Sequence, residues 1–269
     1  ADDLALDECV VEEEAVVFMG WGQEIYGHAL VEMAPKIKIA AKALRRTPEE
    51  LKFVIPKEAP DWFRQIMAMA GARRFIEYEQ DKVRLLLRRA WVATIPVAIA
   101  LHPAAQSLFA EMRPPPQADR AIFITRRRAE VTRPINLLNA EAIEQRAEQA
   151  GLEIVSPETL SVEEQAQMFS SARVVIGEYG SAMMNAAFCR PEAIIGAIGD
   201  RSQLLSAISG ACSLRMSFCD PLNNPHDPGG YSVDPDRFSH WLDALLEARE
   251  PAAIMRTALL TNGDLRACS

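Results

Sequence analysis

Residues 170–190, Ser-Ser-Ala-Arg-Val-Val-Ile-Gly-Glu-Tyr-Gly-Ser-Ala-Met-Met-Asn-Ala-Ala-Phe-Cys-Arg, constrain the fold more than any other stretch of this chain. Arg173 to Ile176 is a short β-branched run stopped by Gly177, the pattern of a buried parallel strand. Gly177, Glu178, Tyr179 and Gly180 make a tight turn, where two glycines let a ligand approach the backbone without meeting a Cβ. Ser181 stands where it can cap a helix running through Met183, Met184, Asn185 and Phe188. A strand, a glycine turn and a helix N-terminus aim free N–H groups outward and make an anion site. Geometry alone does not separate this turn from the several that any α/β chain contains.

The rest of the chain repeats the alternation. Ala15–Met19 reads as a strand. Beyond residue 24, apolar residues at 30, 33, 34, 37, 40 and 41 keep helical spacing, with Pro35 stepping or kinking the helix. Leu51–Pro56 is a strand, Asp61 caps a helix over 62–70 that ends at Gly71, and Arg74–Tyr78 is a further strand. Val83–Leu87 and Ala90–Pro96 are strand-like, and a helix over 104–112 follows. In the second half, Ala121–Thr125, Leu152–Ser156, Ala193–Ile198 and Met216–Cys219 are strands. Asn139 caps a helix over 140–150 that Gly151 ends, Ser161 and Glu164 form a capping box, and Asp200 or Ser202 caps the helix after residue 198. Asp236–Arg249 is an amphipathic helix, continued over 251–260. Strands alternating with helices imply parallel α/β layers. The stiff run Arg113-Pro-Pro-Pro-Gln117 is the kind of segment that joins domains. The expected division is therefore 1–112, a linker over 113–119, and 120–269.

Composition narrows the function. A chain of 269 residues, 49% hydrophobic, has ample material for one large or two small cores. The formal charge of −8 argues against nucleic acid as a partner. No apolar run approaches the roughly 18–20 residues of a spanning helix, and the acidic start Ala1-Asp-Asp lacks the basic region of a secretion signal. Five cysteines, with no C-x-x-C pair, read as reduced thiols rather than a disulfide framework or a zinc site. There is no Asn-x-Ser/Thr sequon. The expected location is the cytoplasm of a bacterial-type cell.

Two clusters carry candidate chemistry. Arg126-Arg127-Arg128 falls at the C-terminal end of a strand, where open α/β sheets bind ligands, and guanidinium forks match phosphate oxygens. Unaided, such a run is as readily a solvated basic turn. His28 and Glu32, at i and i+4, share one helix face; taken alone they are an exposed pair worth a few tenths of a kcal/mol. The turn-rich segment Asp220–Tyr231 carries His226 and Asp227, which either reach a ligand or lie in a solvent-exposed loop, the plainer reading.

The order of Ala121-Ile-Phe-Ile-Thr-Arg-Arg-Arg128, Leu137-Leu-Asn-Ala-Glu-Ala142, Gly151-Leu-Glu-Ile-Val-Ser156, the segment 160–171 and the strand–turn at 173–185 resembles the glycosyltransferase family 61 domain. The likeness is close over 121–190 and looser back to about residue 23. Tyr26, His28, Glu32, Pro35 and Lys36 match the family's first-domain segment. At the turn the chain departs: the family's His-Gly-Ala-Gly is Tyr179-Gly180-Ser181-Ala182. The resemblance implies a GT-B architecture of two Rossmann-like domains, acceptor-side first and nucleotide-sugar-binding second. It implies inverting transfer from a nucleotide-diphosphate sugar to a glycan or lipid-linked acceptor, without a metal and with no cofactor beyond the donor substrate. Arg126, Arg127, Tyr179, Gly180, Ser181 and Asn185 would hold the donor. Glu32 would be the general base, with His28 as runner-up. Bacterial members are associated with capsule or exopolysaccharide assembly, which allows a peripheral place at the inner membrane. Two other readings stay open: a nucleotide-sugar epimerase of GT-B-like fold, and a non-catalytic nucleotide-binding scaffold subunit.

Overall fold

The computed structural model describes residues 6–18, 24–93, 100–127 and 137–248. They form two compact units, Ala1–Pro114 with Ser161–Ala166 and Pro115–Leu160 with Gln167–Ser269. Each is built on its own parallel sheet. Arg128, the segment 94–96 and the expected helix over 251–260 lie outside the described residues.

The first unit carries β1 (Asp7–Val17), β2 (Lys52–Pro56), β3 (Arg74–Tyr78) and β4 (Val83–Val92) in the order β3-β2-β1-β4. All three pairings are parallel. The sequence reading started β1 at Ala15, but the strand begins at Asp7. Its acidic first half has little strand propensity of its own and is held by a basic partner: Glu8 faces Arg84 and Glu14 faces Arg89 across the β1–β4 pair. The two segments read from Val83 and Ala90 are one strand, β4.

After β1, a single helical turn α1 (Tyr26–His28) passes into a π-helical turn over Ala29–Met33, and α2 (Ala34–Leu44) resumes beyond it. Pro35 explains the interruption. It has no N–H for the carbonyl four residues back and its ring would strike that turn, so the wider π turn relieves both problems. α3 (Asp61–Met69) has Pro60 at its N-cap and no side-chain cap bond. Asp61 therefore does not cap as read from sequence; it is the first helical residue, where its charge still suits the helix dipole. α4 (Pro103–Met112) is capped by His102, whose Nδ1 accepts the Ala104 N–H at 3.0 Å. Phe18 stacks on Phe53 with centroids 5.5 Å apart and meets the edge of Phe63. These rings and the buried Leu30, Met33 and Ile37 form this unit's core.

The second unit carries β5 (Arg120–Ile124), β6 (Glu153–Val155), β7 (Ala172–Glu178), β8 (Ile194–Ile198) and β9 (Arg215–Cys219), ordered β6-β5-β7-β8-β9 and parallel throughout. β8 is buried at every residue and β7 at all but Arg173, as interior parallel strands covered on both faces must be. Around them run α5 (Ala140–Gln149), the part of α6 (Val162–Ser171) from Gln167 on, α7 (Gln203–Ala211) and α8 (Pro235–Ala248). Phe123 meets Phe238 edge-on, and Ile143, Val174, Ile176 and Leu242 close the core around them. Each such side chain contributes about 1.5–3 kcal/mol.

Local helix signals held in some places and failed in others. The capping box is present: the Glu164 N–H donates to Ser161 Oγ at 3.2 Å and the Ser161 N–H to Glu164 Oε2 at 2.8 Å. Ser202 caps α7. Asn139 precedes α5 but does not cap it; its amide is spent on Val233, giving Nδ2–H to the carbonyl and taking the N–H. Ser181 likewise is not a cap. It is exposed, and the element from Ser181 to Phe188 is a 3-10 helix of 8 residues. Met183 through Phe188 are all buried, so packing on every side, not a capped amphipathic face, decides its geometry.

Candidate functional site

The chain leaves β5 toward β6 on one side and returns to β7 on the other, so the second sheet has its topological switch point between β5 and β7. In parallel α/β sheets the crevice at that point, beyond the carboxyl ends of the strands, is where ligands bind. Here it holds a cavity of about 300 Å³ lined by Thr125, Arg126, Arg127, Glu144 and Glu178 on its polar side, with Leu137 among the apolar walls.

Arg126, two residues beyond β5, lies along the turn that follows β7. Its Nη1 donates to the Tyr179 carbonyl at 3.0 Å, across 53 residues of sequence. The same nitrogen stands 3.6 Å from Glu178 Oε1. Gly180 permits this arrangement: a Cβ there would fall 3.2 Å from Arg126 Cζ. Tyr179 and Gly180 thus act on the cavity by seating Arg126. Neither they nor Ser181 and Asn185 line it, and Asn185 is fully buried.

Arg127 is engaged differently. Its Nη1 donates to Glu144 Oε2 at 3.1 Å, its backbone N–H donates to Thr125 Oγ1 at 3.2 Å, and the Thr125 hydroxyl donates to the other Glu144 oxygen. Glu144 and the more distant Glu141, both of α5, stand beside it as counter-charges. Of the two described arginines, Arg126 is the cation whose position the fold fixes.

Glu178 and Tyr231 were not among the residues singled out from sequence. Glu178 ends β7, is 7% exposed, and has no hydrogen-bond partner at Oε1 among the described residues. Burial pushes its carboxyl up to about 7; Arg126 opposes the shift, as do the Tyr231 hydroxyl and the Leu137 backbone amide. Tyr231 is fully buried beside Gly199, where φ is +92° and a Cβ would fall 2.6 Å from the phenolic oxygen. Burial and the neighbouring Glu178 raise that phenol's pKa, so it stays neutral. Glu178 sits inside the motif, between Gly177 and Gly180, and a carboxylate closing the apolar run from Val174 to Gly177 is a signal that was there to read. Tyr231, at the end of a polar loop, gave none.

In the first unit, His28 Nδ1 and Glu32 Oε1 are 2.8 Å apart, with side chains 39% and 26% exposed. In the neutral tautomer that donates Nδ1–H to this carboxylate, Nε2 keeps its lone pair and can accept a proton. Lys36, a further i+4 step along, is 2% exposed. Burial holds its ammonium below the usual lysine range, and Glu32 draws it back up.

What the fold and these groups define is a parallel α/β protein with a cation seated at its sheet switch point. The sequence profile of the family described as Glycosyltransferase 61 matches residues 26–196. That span is more than half of the chain and takes in both the His28–Glu32 helix and the β5–β7 crevice. The chain belongs to glycosyltransferase family 61 and is a glycosyltransferase. No curated protein matches it. Among solved structures it is similar to E. coli heptosyltransferase WaaC with ADP, at 11% identity and a TM-score of 0.49, over 86% of this chain and 99% of that one. So remote a likeness bears on neither substrate nor mechanism.

Proposed function

We propose that this glycosyltransferase moves a sugar, with inversion, from a nucleotide-diphosphate donor to a glycan or lipid-linked acceptor, and that it does so as a GT-B enzyme without an obligatory metal. The observation that carries this reading is Arg126, a fixed guanidinium at a switch-point cavity within the family's span. As the glycosidic bond breaks, negative charge gathers on the departing diphosphate, and a preorganised guanidinium stabilises that charge as it forms. Arg127 would lend a second, partly neutralised donor, and Tyr179, Gly180, Ser181 and Asn185 would shape the turn beside it.

At the acceptor, the pair His28–Glu32 takes the hydroxyl proton. The order of roles favoured by geometry reverses the sequence expectation: Glu32 fixes the Nδ1–H, and the more exposed imidazole offers Nε2 as the base. In this reading the enzyme serves capsule or exopolysaccharide assembly from the cytoplasmic side, peripheral to the membrane. No helix among the described residues is long and apolar enough to cross one.

The test is a thermal-shift screen of the intact chain against nucleoside diphosphates, followed by nucleotide-sugar turnover with and without glycan acceptors. A ligand at 100 times its Kd stabilises by about 2.7 kcal/mol. No shift with any nucleoside diphosphate sinks the donor assignment. Binding without turnover would turn the reading toward a non-catalytic subunit, and epimer formation without acceptor toward an epimerase.

A further inference from the structure

The cation of the β5–β7 cavity already has an anion beside it. Arg126 Nη1 is 3.6 Å from Glu178 Oε1, close enough for strong attraction but too far for a hydrogen bond. That oxygen has no hydrogen-bond partner among the described residues, Glu178 is 7% exposed, and both side chains line the cavity. A diphosphate entering there meets one well-seated guanidinium and a buried carboxylate of its own sign. Resting on the donor-site reading above, we propose that Glu178 is a positioning residue that holds Arg126 before the donor binds and takes one proton from solvent when a diphosphate claims that guanidinium. The proton ends on the Glu178 carboxylate, and no bond of the diphosphate is made or broken in the step.

The physics follows from sharing one cation between two anions. A buried carboxylate has lost its hydration, and it stays ionised only while a nearby cation compensates. Burial already brings Glu178 up to about 7, with Arg126 as the largest opposing influence. Phosphate oxygens on Arg126 divide that attraction and add a like charge nearby, so proton affinity rises further on binding. The other groups facing Glu178 cannot substitute. From the segment after β9, Tyr231 offers a neutral phenol; from the segment before α5, Leu137 offers only a backbone amide. Across the cavity, Arg127 is tied to Glu144 of α5, and Thr125 donates its hydroxyl to the same carboxylate.

The experiment is isothermal titration of the intact chain with uridine-, adenosine- and guanosine-diphosphate hexoses, each in two buffers of different ionisation enthalpy, between pH 6 and pH 8. These diesters lack the terminal phosphate ionisation near pH 6 that would confuse the result. The expected outcome is uptake of about one proton per ligand at pH 8 and less at pH 6, with Kd rising by up to about tenfold per pH unit above 7. Glu178→Gln should abolish both uptake and slope and bind at pH 8 at least as tightly as wild type. Binding without proton uptake, or an equal slope in the glutamine variant, overturns the proposal and leaves the donor site standing. Failure of every probe to bind wild type overturns both. Should Glu178→Gln fail to fold by circular dichroism, the two-buffer titration of wild type decides alone.

Discussion

The row His28–Glu32–Lys36 and the pair Arg126–Glu178 each set a carboxylate beside cationic chemistry, yet they are assembled on different plans. The row is local. One helix supplies all three residues at four-residue steps, and the His–Glu pair stays partly in water. The pair is not local. It joins the ends of two strands, through two largely buried side chains, with Gly180 left bare to admit the contact. A group partly open to water is placed to exchange protons with a substrate. One buried beside Arg126, its only charged partner there, has its charge state set by burial and that cation, and is suited to sensing what else the cation touches.

The comparison can be broken most sharply at the row. His28→Ala should lower kcat by about 10²–10⁴-fold with donor affinity unchanged, and Glu32→Gln should lower it less. Initial rates beside donor titrations read both. A larger loss in Glu32→Gln would make the carboxylate the base, as the sequence alone suggested.

Next in size is the stability difference between Glu178→Gln and wild type. The folded protein keeps a proton on Glu178 that the unfolded chain releases between about 4.5 and 7. Wild-type stability from this group therefore falls as pH rises through that window, and the full penalty stands above it. Relative to wild type, the variant should gain little at pH 4.5 and up to about 3 kcal/mol at pH 8, read by denaturant unfolding. A gain independent of pH would mean that Glu178 is not an uncomfortable anion in the folded state.

Arg126→Ala should weaken nucleoside-diphosphate binding by about 1.5–3 kcal/mol, the worth of a charge-assisted hydrogen bond. It should also destabilise the fold, because Glu178 loses its cation. Adding Glu178→Gln to Arg126→Ala should restore stability without restoring binding. Recovery of both would mean that Arg126 serves only the fold.

The smallest effect belongs to the turn. Gly180→Val places branched carbon against Arg126, whose Cζ is 3.2 Å from the position of a Cβ. It should cost about 1–3 kcal/mol of stability and weaken nucleotide binding in the manner of Arg126→Ala. Normal binding would separate the turn from the guanidinium.

By itself the sequence determined whatever depends on near neighbours. The β-branched run ending in Gly177, the Ser161–Glu164 box, the i, i+4 pair and an arginine just past a strand were all legible, because spacing along the chain fixes which groups can meet. The alternation of strand and helix likewise announced parallel sheets. Tertiary structure decided what depends on partners far away. β1 begins at Asp7 because the basic strand β4 lies beside its glutamates. Asn139 leaves its helix for Val233, 94 residues on. The segment from Ser181 winds as a 3-10 helix whose residues Met183 to Phe188 are packed on every side. Burial lifts the Glu178 carboxyl to about 7 against the pull of Arg126 and Tyr231, which arrive from 52 residues before and 53 after it in the chain. Burial sets the free energy of a charge, and burial is a property of the assembled sheet.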